Sequence, residues 1–255
     1  MSLITLHIDD YGRSQNISRQ ILDIINYKKK IEISVMVGFV EKKYHKKLLD
    51  KNIKTRLHLN LTDNKSYFFN RNKKNTNFIE LLFLKKRFRK YIFEEIDKQI
   101  KEYSKLYRLK KIRVDGHEHV QFIPWIYDYL DKYTKIEITE IRYSAEEFYV
   151  PKMKIFLNKE AYKNFIGFIL IKILSLFNRK KTEKFFYGLL YSGIMDKEIY
   201  EYIVKKNIDK NLEILFHIGF TNDKNEKKIF TNKYFKYFSD KKRILEKNEF
   251  LEKIK

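Results

Sequence analysis

The chain has 255 residues, a hydrophobic fraction of 44%, two prolines and seven glycines, which favours one sizeable core over a linker-rich design. It has no cysteine, which excludes disulfides, cysteine-ligated zinc, iron–sulfur clusters and a thiol nucleophile. The formal net charge is +22, but the lysines are spread over every predicted helix, so compositional bias competes with an anionic partner as the cause.

Strands and helices are predicted to alternate along the whole chain. The first strand, Ile4–Ile8, runs into the turn Asp9–Gly12 and a helix with isoleucines three to four residues apart. Further strands are predicted at residues 31–37, 56–61, 112–114, 136–143, 185–187 and 212–216. This order predicts a single α/β domain over residues 1–255 whose parallel strands close into a barrel, with an open doubly wound sheet as the alternative.

The connections between these strands differ in character. Residues 63–77 have no periodicity and predict a lid or substrate loop, whereas 78–106 predict one long helix or two. Residues 42–47 are lysine-rich, and His45 among them is interpreted as a solvated helix residue. The tail 231–255 is predicted to be helical and basic.

The apolar run Phe165–Phe177 is the strongest candidate for a membrane contact. It contains Lys172, is followed by the basic Asn178–Lys181, and falls short of the roughly 20 apolar residues that a spanning helix needs. A buried helix is predicted, with a helix lying on an anionic membrane surface as the alternative. The N-terminus does not resemble a signal peptide, so a cytoplasmic protein is expected, with contact to the inner membrane as a narrower hypothesis.

Acidic and histidine residues cluster where the predicted strands end, the position at which α/β barrels build their active sites. Asp9 and Asp10 follow the first strand, and a turn there would let one carboxylate bind metal while the other acts as a base. His58 points away from its neighbouring leucines and shares its strand face with Asn60, which would contact substrate or support the ligands.

Two later segments add to this set. In Asp115-Gly-His-Glu-His119, the two imidazoles of His117 and His119 share a face if the chain is extended, and Asp115 would bind the second nitrogen of a ligand histidine. His217 ends the last strand and is placed to act as a general acid. Arg142, at the end of the fifth strand, is placed to hold a carboxylate or the substrate.

Four ordered motifs resemble those of the YdjC-like carbohydrate deacetylases. They are His7-Ile-Asp-Asp-Tyr-Gly-Arg-Ser14, Leu57-His-Leu-Asn-Leu-Thr62, Asp115-Gly-His-Glu-His-Val120 with the later Pro124, and Glu213-Ile-Leu-Phe-His-Ile-Gly-Phe220. Ile141–Tyr143 and Phe186–Gly188 also fit short family segments. Two departures are Ile218, where the family usually has proline, and Gly38, where it often has asparagine.

The resemblance implies a distorted (β/α) barrel of about seven parallel strands, related to polysaccharide deacetylases. It also implies a divalent metal, Mg²⁺ or Zn²⁺, bound by Asp10, His58 and His117. The implied reaction is removal of an N-acetyl group from an amino sugar, as in an oligosaccharide. The apolar run 165–177 with its basic flank separately suggests that this sugar belongs to a lipid-linked surface glycan. Asp9 would be the general base, and His217 the general acid or its partner.

Two other functions stay open at this point. The same barrel could hydrolyse a phosphoester or glycosidic bond, or the charge of +22 could indicate a nucleic-acid-binding protein. No nucleic-acid partner is expected, because histidines at strand ends have no purpose in such a protein. The aromatic residues of the region 66–90 would serve substrate stacking or formation of a homodimer.

Overall fold

The computed structural model describes residues 4–25, 31–62, 77–143, 146–148, 159–178, 184–192, 197–207 and 209–218. The predicted loop at 63–77, apart from Asn77, and the predicted helical tail at 231–255 lie outside these residues.

Seven parallel strands form one sheet that curls into a half-barrel with helices on its outside, which confirms the predicted fold class. The strands are Ile4–Tyr11 (β1), Ile31–Val35 (β2), Lys54–Leu59 (β3), Lys111–Gly116 (β4), Glu137–Ile141 (β5), Phe185–Tyr187 (β6) and Leu212–Phe216 (β7). Their order across the sheet is β5-β4-β3-β2-β1-β7-β6.

The helices that connect these strands follow the predicted periodicity. They are Gln15–Ile25 (α1), Lys42–Leu49 (α2), Phe78–Leu82 (α3), Lys86–Tyr107 (α4), Pro124–Asp131 (α5), Lys159–Ser175 (α6) and Lys197–Lys206 (α7). The region 78–106 therefore forms two helices, and the side chain of Asn77 caps the first by accepting a hydrogen bond from the backbone N–H of Glu80.

One ion pair shows how strongly the sheet curls. Arg142, directly after β5, donates from Nε to Oε1 of Glu213 on β7 over 3.0 Å. β5 and β7 are five strand spacings apart in the sheet order, which would be about 24 Å in a flat sheet at roughly 4.8 Å per spacing. The polar face that carries both residues is therefore concave, and the helices pack on the convex face.

The strands alternate between these two faces. Ile8, Ile33, Leu57 and Val114 belong to the buried apolar core of the chain. The alternate positions carry polar residues, which are also buried, so the inside of the half-barrel holds ionic and hydrogen-bonded groups instead of hydrocarbon. Most parallel sheets are apolar on both faces, so this alternation marks the concave face as the place for chemistry.

The interpretation of His45 as a solvated residue is wrong. Its side chain is buried, and Nδ1 lies 3.1 Å from the hydroxyl of Tyr107. The rings of Tyr11 and Tyr107 meet the imidazole edge-on. The surrounding lysines identified α2 as a surface helix, but His45 lies on the side of α2 that faces the core.

Candidate metal centre

Asp9 and Asp10 end the regular part of β1, and the backbone between them bends sharply. Asp10 has a φ of +68°, a left-handed conformation, and the pairing of β1 with β2 shifts register between Ile8 and Tyr11. Neighbouring residues of a regular strand point to opposite faces, so this bend lets both carboxylates reach the concave side. Aspartate tolerates left-handed backbone better than most residues.

Asp10, His58 and His117 bring one ligand atom each into a group whose atoms all lie within 4.8 Å of one another. Oδ1 of Asp10 is 3.5 Å from Nε2 of His58 and 3.2 Å from Nδ1 of His117. Ligands of a tetrahedral zinc ion, at about 2.0–2.2 Å from it, are separated from each other by roughly 3.4 Å. The spacing of these three side chains therefore fits a shared cation.

The hydrogen bonding of Asp10 supports the same fit. Among the described residues, no donor makes a hydrogen bond of normal geometry to either oxygen of this buried carboxylate. Burial raises the pKa of Asp10, but His117 and His58 lower it further, so the carboxyl group is ionised. Arg13 approaches Oδ1 of Asp10 only to 4.0 Å, beyond hydrogen-bond distance, so this buried carboxylate has room for a closer cation. Two imidazoles with one carboxylate form a donor set that binds divalent metals.

Asp115 fixes the orientation of His58. Nδ1 of His58 donates to Oδ1 of Asp115 over 2.7 Å, which leaves Nε2 facing Asp10. Burial lowers the pKa of His58, but the charges of Asp9 and Asp115 outweigh it and raise the pKa to about 10. The negative potential that favours a proton there would equally favour a metal ion, which would replace that proton.

Arg142 is buried beside Asp9. Its Nη1 lies 3.1 Å from Oδ2 of Asp9, and its Nη2 lies 3.2 Å from Oδ1 of Asp9 and 2.8 Å from Oδ2 of Asp115. Burial raises the pKa of Asp9, whereas Arg142, His58 and His7 lower it, so its net pKa lies well below the usual range. Because Arg142 is enclosed by carboxylates, the geometry favours its predicted contact with a carboxylate over one with substrate.

The segment after β4 does not have the extended shape that the sequence analysis assumed for His117 and His119. Residues His117–Phe122 form a tight 3₁₀ turn in which Glu118 and His119 have φ values of +51° and +60°. His117 therefore joins the ligand group, whereas His119 turns toward the rings of Phe122 and Phe186. Burial lowers the pKa of His119 to about 3, so it is neutral.

His217 follows β7 and lies near the loop after β6. Its Nδ1 is 3.4 Å from Oγ of Ser192, and burial lowers the pKa of its imidazole, although the charges of Asp10 and Asp9 oppose this. Glu146 holds the same loop, because its carboxylate accepts hydrogen bonds from the backbone N–H groups of residues 188–190. His217 is partly exposed and lies at the end of β7, the strand next to β1.

Asn60 lies just after β3 with its side chain buried. Gln99 of α4 makes two hydrogen bonds to the backbone of Asn60. Its Oε1 accepts from the N–H over 2.9 Å, and its Nε2 donates to the carbonyl oxygen over 2.8 Å. These contacts fix the chain directly after His58, which supports a positioning role for this part of the strand.

Several residues without a predicted role form the floor of the site. Nε2 of His7 lies 2.6 Å from Oγ of Ser34 and 3.2 Å from Oδ1 of Asp9, and Ser34 donates to Asp115 over 2.5 Å. Arg56 bridges Glu32 and Glu213, each at 3.1 Å. The signal that could have found these residues is the two-residue alternation of polar side chains along the strands.

Two further acid–histidine groups, both containing His7, also bring their ligand atoms within 4.8 Å of one another. A guanidinium lies 3.1 Å or less from the carboxylates of each of them, whereas the guanidinium of Arg13 approaches Asp10 only to 4.0 Å. Arg142 contacts Asp9 and Asp115, and Arg56 contacts Glu32 and Glu213. Among the described residues, the Asp10 group is therefore the one that suits a metal ion.

A family model for YdjC-like proteins matches residues 3–252. The chain belongs to the YdjC-like family. The predicted family is thereby confirmed, and membership indicates a carbohydrate-processing enzyme.

One solved structure has the same fold as this YdjC-like protein. It is the crystal structure of a "putative cellobiose-phosphate cleavage protein" from Enterococcus faecalis V583, with a TM-score of 0.53, 12% sequence identity and 98% of each chain covered. Similarity at this level of identity shows a shared fold alone. No curated protein matches the sequence.

Proposed function

We propose that this YdjC-like protein is a metal-dependent hydrolase that removes the N-acetyl group from an amino sugar. The observation that carries the proposal is the convergence of Asp10, His58 and His117 beside a second carboxylate, Asp9, which stays outside the ligand group. Hydrolysis of an amide needs an activated water, a base for its proton and an acid for the departing amine. Residues of the concave face would fill each of these roles.

Asp10, His58 and His117 would hold the metal, and their two imidazoles favour Zn²⁺ over Mg²⁺. A cation bound there would acidify a water molecule and polarise the acetyl carbonyl. Asp115 keeps Nε2 of His58 directed at the site by accepting the hydrogen bond from Nδ1.

Asp9 would take the proton of the attacking water. Arg142 keeps this carboxylate ionised and fixed in orientation, because its two Nη groups bind both carboxylate oxygens. His217, at the end of the neighbouring strand β7, would protonate the nitrogen that leaves as the free amine. Its contact with Ser192 orients the ring by engaging Nδ1.

Cleavage of a glycosidic bond in a phosphorylated sugar is the second candidate, prompted by the name of the Enterococcus faecalis structure. Glycosidases of the common type need one carboxyl group that stays protonated as the acid. At this site the pKa values of Asp9, Asp10 and Asp115 all lie below their usual values, that of Asp115 at about 2, despite burial that raises them. None of these three carboxyl groups suits the acid of a glycosidase, so amide hydrolysis remains the first candidate. Burial also lowers the pKa of His217, so this histidine must take up a proton before it can act as the acid.

The substrate would be an N-acetylated oligosaccharide or the sugar of a lipid-linked glycan. The test is to incubate the Zn²⁺-loaded protein with N-acetylglucosamine oligomers and a phosphorylated disaccharide, and to measure acetate, inorganic phosphate and new reducing ends in parallel. We expect acetate release that stops when a chelator is added and returns with Zn²⁺. Reducing ends or phosphate without acetate would establish one of the alternative hydrolases instead.

A further inference from the structure

Helix α6 exposes a continuous apolar stripe. Ile166 and Ile173 are 51% and 53% exposed, and Leu176, just past the end of the helix, is 81% exposed. The stripe consists of Tyr162, Ile166, Ile169, Ile173, Leu176 and Phe177. From Tyr162 to Leu176 the steps alternate between four and three residues, which places these side chains along one line, and Phe177 lies just past the end of the helix.

The opposite side of α6 already accounts for the packing of this helix on the domain. Phe168, Ile171 and Leu174 are buried in the core, so the helix that was predicted to be buried is buried on one side only. The exposed stripe adds nothing to that core, and it forms a large apolar surface of the kind that marks a contact with a partner or a membrane.

The charges around the stripe indicate which contact this is. From residue 159 to residue 181 the sequence contains six basic residues and a single acidic one, Glu160. Two copies of the chain, each with a formal charge of +22, would repel one another across such a contact. An anionic surface provides the complementary charge.

We propose that α6 docks this protein on an anionic lipid bilayer by seating the stripe among the lipid headgroups and upper acyl chains. The stripe from Tyr162 to Phe177 extends over about 22 Å at 1.5 Å per residue. Among the described residues, no helix combines the length and apolar character required to cross a membrane. A helix with an apolar face and basic flanks instead lies in the plane of the interface.

Docking through α6 would place the candidate metal centre close to the bilayer. α6 packs against the turn His117–Phe122, and Asn164 of α6 donates to the backbone carbonyls of Leu190 and Ser192, next to His217. Sugars carried on membrane lipids would then be near the site. This role in substrate supply rests on the proposed function, whereas the docking of α6 is independent of it.

The test measures vesicle binding, which is independent of catalysis. Wild-type protein is sedimented with vesicles of phosphatidylcholine alone or mixed with phosphatidylglycerol, at about 150 mM salt so that long-range attraction is screened. The stripe variant carries Ile166→Ser, Ile169→Ser and Ile173→Ser. A control variant carries Ile79→Ser and Phe83→Ser, two exposed apolar residues at α3. Neither variant alters the net charge.

We expect binding to the phosphatidylglycerol vesicles, at least tenfold weaker binding by the stripe variant, and normal binding by the control. Absence of wild-type binding, or equal binding by the stripe variant, would overturn the proposal. A wild-type dimer that the stripe substitutions convert to a monomer, without vesicle binding, would assign the stripe to a second copy of the chain instead.

A second measurement does not depend on the folding of the triple variant. Because the chain has no cysteine, Ile173→Cys and Ile79→Cys each provide a unique position for an environment-sensitive dye. With phosphatidylglycerol vesicles, a blue shift at position 173 and none at position 79 is expected. Equal spectra at the two positions would contradict insertion of the stripe.

Discussion

Arg142 binds Asp9 through both terminal nitrogens, with Nη1 3.1 Å from Oδ2 and Nη2 3.2 Å from Oδ1. The two residues come from the ends of β5 and β1, which three other strands separate in the sheet. This contact distinguishes the adjacent carboxylates, because Arg142 binds both oxygens of Asp9, whereas the groups nearest to Asp10 are two imidazoles and Arg13 stays 4.0 Å away. The roles of base and metal ligand that we propose follow from this difference in partners.

Replacing Arg142 by lysine should reduce turnover while leaving substrate and metal binding largely intact. Lysine keeps the charge but cannot bind both oxygens of Asp9, so the carboxylate loses its fixed orientation. We expect kcat to fall about ten- to a hundredfold with little change in KM. The matched control is Arg113→Lys, since Arg113 pairs with Glu32 away from Asp9. Equal losses in both variants would point to a general disturbance of the ion pairs.

Replacing Asp9 by asparagine should separate metal binding from catalysis. Asp9 is outside the group formed by Asp10, His58 and His117, so the variant should still bind Zn²⁺ in calorimetry, with an affinity lowered only by the loss of one negative charge near His58. Loss of a general base should lower kcat for acetate release by about 100-fold or more. Normal turnover of this variant would end the assignment of Asp9 as the base.

Replacing Asp115 by asparagine should weaken metal binding, although Asp115 is not one of the proposed ligands. Its carboxylate accepts the hydrogen bond from Nδ1 of His58, and loss of such a partner typically costs about 10- to 100-fold in metal affinity. His119→Gln serves as the control. Because His119 lies outside the ligand group, this variant should bind Zn²⁺ with the affinity of the wild type. The prediction fails if calorimetry ranks the two variants in the reverse order.

His45 should make the protein less stable in mild acid. Burial lowers its pKa to about 4 from the ordinary value of 6.5. Between pH 4 and 6.5 the unfolded chain binds a proton at His45 that the folded protein excludes. The free energy of unfolding therefore decreases as the pH falls from 6.5 toward 4. Above pH 6.5, His45 does not change the stability.

The titration of His45 alone should lower the free energy of unfolding by about 1.4 kcal/mol between pH 7.5 and pH 5.5. Urea unfolding of wild type and His45→Gln at both pH values would measure it, because glutamine keeps a polar group near Tyr107 but does not titrate. An identical loss of stability in both proteins would show that His45 titrates normally in the folded state.

The turn after Asp10 should not accept a side chain at position 12. Gly12 has a φ of +92°, and a Cβ there would lie 2.2 Å from the carbonyl oxygen of Met36. Gly12→Ala should therefore destabilise the protein by more than ~2 kcal/mol in thermal or urea unfolding. Gly167→Ala is the control: a Cβ meets nothing within 4 Å in α6, so a gain of roughly 0.5–1 kcal/mol is expected there. Comparable losses at both positions would contradict this explanation.

Local patterns in the sequence were sufficient for the strand ends and for the face that His58 occupies. Alternation with Leu57 and Leu59 places His58 on the polar face of β3, where its neighbour on the adjacent strand β4 is Asp115. The same patterns misjudged His45, because the lysines around it describe the solvent side of α2 but not which residue of that helix meets Tyr11 and Tyr107.

The sequence by itself determined a parallel α/β chain with acids and histidines at the ends of its strands, because alternation and periodicity are local properties of the chain. Only the tertiary structure decided which of these residues meet. The left-handed backbone at Asp10, the tight turn at His117–Phe122 and the curl that brings Arg142 to Glu213 all depend on packing between distant segments. Long-range contacts of this kind leave no periodic signal in the sequence.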